Sequence, residues 1–248
     1  MKNFFGNRKN VMSVSTICII LLTLIAVTHY YLQYDVNRAI GWTLSFGYLF
    51  LFVQSVFTLG YGVANKKSDV KLISIEFIIL SVVMLAYAIL SIIPVSSVAL
   101  RLKPVGLILP VVFIPVCADA AIVKKPLIKN LFYLIPSIVL VVAAAVLANI
   151  NVDEADLFSQ IASVIAALFF IFGIVLAIIN IAKNSEDLFG WALMAYSFMG
   201  ALMFVLRIFE KVTLADKFIS LQNLAASVML MAIISIQQVP AVSKKKKR

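Results

Sequence analysis

The chain has 248 residues, 63% of them hydrophobic and 13% charged, with a mean hydropathy of +1.09. No single soluble core of this size buries that much apolar surface, so composition excludes a soluble domain and indicates an all-α, polytopic integral membrane protein. The formal net charge of +10 would suit nucleic acid in a soluble protein. Here the basic residues stand in short links between apolar runs, where they set orientation, and no nucleic-acid partner is expected.

A short basic start with Lys2, Arg8 and Lys9 precedes an apolar run at 12–32. About twenty residues span a bilayer and no small-x-small cleavage site follows, so this run reads as a first transmembrane helix rather than a signal peptide. A second span covers 41–64 and stops at Asn65-Lys66-Lys67-Ser68-Asp69. The third covers 72–93 and closes at Pro94, and the fourth covers 105–123 and closes at Lys124-Lys125-Pro126. The fifth is expected at 131–150, followed by an acidic link at Asp153-Glu154-Ala155-Asp156. The sixth, seventh and eighth follow at 158–182, 188–206 and 219–236.

With about eight spans and the amino terminus inside, most of the 21 Lys and Arg residues fall on the cytoplasmic side, as the positive-inside rule requires. Both termini are therefore expected to be cytoplasmic. Residues 1–240 form a single helical bundle, and 241–248 form a basic tail. Lys244, Lys245, Lys246, Lys247 and Arg248 would contact anionic headgroups at the cytoplasmic face, each contributing about 1 kcal/mol. The expected location is the cell membrane: the cytoplasmic membrane of a prokaryote, or an internal membrane in a eukaryote.

Small residues mark helix contacts, because in lipid close backbone approach replaces the hydrophobic effect. Ala143, Ala144, Ala145 and Ala148 mark the fifth span, Ala162, Ala166, Gly173 and Ala177 the sixth, and Ser197, Gly200 and Ala201 the seventh. These three spans are expected to pack tightly. Gly41-Trp42-Thr43-Leu44 and Gly190-Trp191-Ala192-Leu193 echo one another faintly, which an inverted repeat or plain interfacial tryptophans would equally produce.

The candidate site residues are the polar groups that lipid penalises. Asp119 in the fourth span and Glu76 in the third are intramembrane carboxylates, each five residues from a lysine at its helix end. Pro115 leaves the carbonyl of Val111 without its helical donor, on the face that carries Asp119. A free carbonyl beside a carboxylate suits a proton or a sodium ion. The competing reading is that both acids snorkel to the interface and pair with Lys71 and Lys124. Gln54, Thr58 and Tyr61 share a face of the second span, and Gln222, Asn223 and Ser227 are read as doing the same in the eighth. Either set would line a ligand cavity or bond helix to helix. His29, beside Tyr30 and Tyr31, reads as an interfacial anchor. Arg207 is placed to pair with Glu210, or to bind an anionic lipid or substrate.

HExxH, GxSxG, Walker and GxGxxG motifs are missing from the sequence. Cys18 and Cys117 read as buried thiols, and neither a metal nor a cofactor is expected. Eight short spans with minimal loops resemble, in architecture alone, the membrane-embedded sensory modules that precede bacterial and archaeal signalling domains. The expected function is non-enzymatic: a sensor-like module, or a subunit that binds a membrane-protein partner or a second copy of itself. The alternative is a small secondary transporter coupled to protons or sodium through Asp119 and Glu76. A lipid enzyme ranks third, for want of a nucleophile, base or metal set.

Overall fold

The computed structural model describes residues 2–31, 37–92, 152–183, 185–186, 188–209 and 212–236. Among these the regular elements are all helices: α1 (Lys2–Gly6), α2 (Arg8–Tyr31), α3 (Asn37–Ala64), α4 (Ser68–Ile92), α5 (Val152–Lys183), α6 (Leu188–Ile208) and α7 (Val212–Ile236). Six of them, α2 to α7, are long and apolar enough to cross a membrane. The chain is a helical membrane protein. The expected fourth and fifth spans lie outside the described residues, and with them Pro115, Asp119, Cys117 and the alanines of the fifth span; the tail 244–248 also lies outside.

Most helices begin several residues before the expected start. Hydropathy locates the hydrocarbon, whereas backbone hydrogen bonding carries a helix on through the headgroup layer. The clearest correction is the acidic segment 153–156, expected as a link, which belongs to α5 from Val152 onward. Carboxylates there lie in the opening turns of a helix, where its dipole favours negative charge. At α2 the start is set by Asn7, whose Oδ1 accepts from the Lys9 amide at 3.0 Å and caps the first turn.

The hydroxyls along these apolar helices are mostly satisfied locally. Thr16, Thr23, Thr28, Ser45, Ser55, Thr58, Ser74 and Ser81 each donate to the carbonyl four residues earlier, which makes them tolerable in lipid.

The helices alternate in direction. Ser235 of α7 reaches the Met12 sulfur at 3.8 Å, and Ser220 reaches His29, so α2 and α7 are antiparallel. One end of the bundle, here called basal, carries α1, the α3–α4 turn and the α5–α6 turn. The opposite, apical end carries the ends of α2 and α6 and the start of α7. Helix α7 packs against α6, α2, α3 and α4, and 67% of its spanning window is buried against 28% for α2. It is the central helix among those described.

Two local devices set the basal end. The α3–α4 turn closes with Lys67 N donating to Gly62 O at 2.8 Å and Lys66 N to Val63 O at 3.3 Å, a Schellman motif with Lys66 at φ 53° in the left-handed position. Helix α1 lies against α3: a Cβ at Gly60 would stand 2.6 Å from Cδ1 of Phe5, and the Phe5 and Phe57 rings are 5.4 Å apart.

Small residues bring α5 and α6 together, as expected for the sixth and seventh spans. Phe170 of α5 fills the space above Gly200 of α6, stacks on Phe204 with centroids 5.8 Å apart, and leans on Tyr196. Phe77 of α4 meets Tyr196 edge-on at 6.2 Å, so this aromatic group ties α4 to the α5–α6 pair. The opposite face of α5, with Leu168, Ile171, Val175 and Ile178, is exposed, as a lipid-facing surface should be.

Candidate functional site: a polar seam along the central helix

Helix α7 is the most buried of the described spans, and Ser220, Gln222, Asn223 and Ser227 are all buried along it. Ser220, Asn223 and Ser227 recur at three and four residues, so they form one stripe along the helix. Gln222 is offset from Asn223 by about 100°. The expectation that Gln222 shares a face with Asn223 and Ser227 is therefore corrected by the helix geometry.

At the deep end of the stripe, Gln54 of α3 is wholly buried and grips α7 twice. Its Nε2 donates to the Ser227 carbonyl at 2.8 Å, and its Oε1 accepts from the Ser227 hydroxyl. A carbonyl can only accept, so this pairing fixes which way the Gln54 amide points. Thr58, one turn on, donates to the Gln54 carbonyl at 2.8 Å. Of the two readings given for Gln54, helix-to-helix bonding is the one the geometry supports.

At the apical end of the stripe, His29 is not the interfacial anchor expected from its tyrosine neighbours. It is 1% exposed, and its Nδ1 is 2.6 Å from Ser220 Oγ. The tyrosines do the interfacial work: Lys217 donates to the Tyr30 carbonyl at 3.0 Å and lies 5.0 Å from the centre of that ring. A cation over the last carbonyls of α2 is favoured by the helix dipole.

Between these two fixed ends stands Asn223. It is 5% exposed, and its Nδ2 makes no hydrogen bond among the described residues. The side chain points at Gly47 of α3: a Cβ built on that glycine would lie 3.4 Å from Asn223 Nδ2 and 3.8 Å from Ile25 Cγ2 of α2. Those are ordinary contact distances, so an alanine methyl would just fit at this position. Four further buried groups carry an atom with no partner among the described residues: Ser15 Oγ and His29 Nε2 on α2, Gln222 Nε2 on α7 and Ser197 Oγ on α6. An unmade buried hydrogen bond costs about 1–3 kcal/mol, and such groups are uncommon enough in native interiors that each calls for an explanation. The seam is bonded at its deep end through Gln54 and Ser227 and at its apical end through His29 Nδ1 and Ser220, while Asn223 Nδ2 and His29 Nε2 have no partner among the described residues.

The other expected site residues separate from this seam. Glu76 of α4 is 7% exposed, so it is buried among the helices. Arg207 is half-buried in the last turn of α6, and Glu210, its expected partner, lies outside the described residues. Trp191 is exposed and donates to the Ser185 carbonyl at 2.9 Å, tying the start of α6 to the turn before it. Trp42 is exposed at the apical end of α3. Interfacial placement therefore accounts for both Gly-Trp pairs without an inverted repeat. No group of three His, Cys, Asp or Glu residues with metal-site geometry occurs among the described residues.

The pairing of His29 with Ser220 and the role of Gly47 escaped the sequence reading. The available signal was the three-then-four spacing of Ser220, Asn223 and Ser227. It marks a polar stripe that a membrane helix keeps only when it is buried among other helices. No protein-family model matches the chain, no curated protein matches it, and no solved structure matches it.

Proposed function

We propose that the chain is a non-enzymatic, membrane-embedded binding module, sensor-like or complex-forming, in which α7 is the element that meets the bound group. The observation that carries this is the donor of Asn223, buried in the most enclosed of the described helices with no partner among the described residues. A stripe that served only to join helices would close all its bonds, as Gln54 and Ser227 do. Leaving a donor open in hydrocarbon is costly, and a bound partner that supplies the acceptor recovers that cost. The test is native mass spectrometry after gentle extraction. The expected result is a stoichiometric adduct, either a small molecule or a partner chain, retained by the wild type. A bare monomer under every extraction condition would remove the proposal.

A second reading is supported by the burial of Glu76. A carboxylate held in a spanning helix is a candidate carrier of a coupling proton or sodium ion, which would make the chain a small secondary transporter in which Asp119 is the other acid. Glu76→Gln in proteoliposomes should then abolish ion-coupled uptake while the protein stays folded, and unchanged flux would dismiss transport through this residue.

A further inference from the structure

We infer that the corner where α1 meets the α3–α4 turn is a docking site for the headgroup of an anionic phospholipid in the basal leaflet, with Lys66 and Lys67 as the cations that take its phosphate. The inference goes beyond the binding-module reading and uses none of the residues of the α7 seam.

Charge is the first observation. Segments 2–9 and 61–71 meet at this corner, where a Cβ on Gly6 would stand 3.8 Å from that of Ala64, and they carry six Lys or Arg residues against one acid, Asp69. The link between α5 and α6, at the same end of the bundle, carries Glu186 and Asp187 after Lys183. Orientation is set by basic residues summed over a whole face of the protein, whereas this excess is local to one turn and the helix beside it. The second observation is that the corner is built. Asn65 Nδ2 donates to the Tyr61 carbonyl at 3.0 Å and to the Gly6 carbonyl at 3.4 Å, joining the start of the chain to the end of α3. Lys67 Nζ donates to the hydroxyl of buried Tyr61 at 3.4 Å and lies 5.2 Å from the centre of its ring, so this cation is held in place. Lys66 is exposed at the tip of the turn in the left-handed conformation, where glycine would be under least strain. A lysine there gives up backbone stability and places a cation. The third observation is the apolar surface that leads to the pair. Leu49, Val56 and Val63 recur every seven residues as one exposed stripe of α3, which ends three residues before Lys66. Phe4 of α1 is also exposed, its ring 6.1 Å from that of Phe57. A free phosphate would use the lysines alone. A phospholipid uses both parts, with its acyl chains along the stripe and its phosphate at the cations.

The test titrates phosphatidylglycerol and phosphatidylcholine of the same acyl chains into the full chain in a neutral detergent while thermal unfolding is followed. The wild type should show a saturable rise in melting temperature with phosphatidylglycerol alone. Each basic residue at an anionic surface is worth about fivefold in affinity. Lys66→Gln should therefore weaken the apparent affinity about fivefold, and Lys66→Gln with Lys67→Gln about twentyfold. A protein with Lys244→Gln, Lys245→Gln, Lys246→Gln and Lys247→Gln should retain the rise; its loss there, with its persistence in the Lys66 and Lys67 variants, would move the site to the tail and overturn the inference. An equal rise with phosphatidylcholine would overturn it, as would the same rise with inorganic phosphate, the mark of an ion site. A rise given equally by soluble polyglutamate would overturn the lipid in favour of an acidic protein surface. Should Lys67→Gln fail to fold for want of its bond to Tyr61, Lys66→Gln decides the matter, because that side chain is exposed.

Discussion

Gly200 and Gly47 are both glycines in the middle of buried helix faces, and they do opposite things. At Gly200 the missing side chain is replaced by the ring of Phe170, which goes on to Phe204 and Tyr196, so the α5–α6 contact is closed. At Gly47 a Cβ would make only ordinary contacts, with Ile25 and with an Asn223 amide that has no partner among the described residues. One glycine is required by the ring packed against it, and the other is not required by its packing. In a bilayer, where lipid is as apolar as the helix surface, small residues hold helices together by close approach.

The largest effect expected from breaking this contrast is at Gly200. A Cβ there meets the face of Phe170, held on its other sides by Phe204 and Tyr196, so the ring has no cheap escape. Gly200→Ala should destabilise the protein by about 3 kcal/mol, the upper part of the range for overpacked cores, read as a lowered denaturation midpoint in detergent. A wild-type midpoint would mean that the α5–α6 contact is looser than the stacked rings indicate.

Next in size is the bonded end of the seam. Gln54→Leu keeps most of the volume but removes both bonds to Ser227, whose hydroxyl can then turn back to the carbonyl of Asn223, as the other helix hydroxyls do. The expected loss is about 1 kcal/mol, in line with interhelical hydrogen bonds in membranes. Ser227→Ala should cost less in the Gln54→Leu background than in the wild type, and strict additivity in this double-mutant cycle would show that the two side chains do not act as a pair.

These two regions also differ in how far the sequence announces them. The α5–α6 contact was legible, since Ala166, Ala177, Gly200 and Ala201 carry a spacing that only tight packing explains. The membrane class was legible from hydropathy, and Gln54, Asn223 and Ser227 stood out because polar residues are expensive in lipid. Their partners were not legible. Gln54 and Ser227 are separated by 173 positions, and nothing local records which span lies beside which. His29 misled because its neighbours Tyr30 and Tyr31 are interfacial, while a helix turns about 100° per residue and so can bury one of three adjacent side chains. Gly47 carried no signal of its own. A glycine whose place is filled by a ring and one that would accept a methyl are the same letter.

A substitution outside both regions provides the control. Helix α3 carries Gln54 and Gly47 to the seam, α4 carries Phe77 to the aromatic group, and the turn between them holds Lys66 in the left-handed conformation. A side chain there costs about 1 kcal/mol relative to glycine. Lys66→Gly should recover part of that and raise the denaturation midpoint by up to about 1 kcal/mol, without changing the coupling between Gln54 and Ser227. A fall in stability would mean that the lysine's charge at this turn outweighs its backbone strain.

The smallest effect on stability is expected at Gly47, and its sign is what matters. Alanine is favoured over glycine within a helix by about 0.5–1 kcal/mol, and the added methyl meets Asn223 Nδ2 and Ile25 Cγ2 at ordinary contact distances. Gly47→Ala should therefore leave the denaturation midpoint unchanged or raise it slightly, where Gly200→Ala lowers it sharply. The comparison fails if both glycines prove equally intolerant, because Gly47 would then be as closely packed as Gly200.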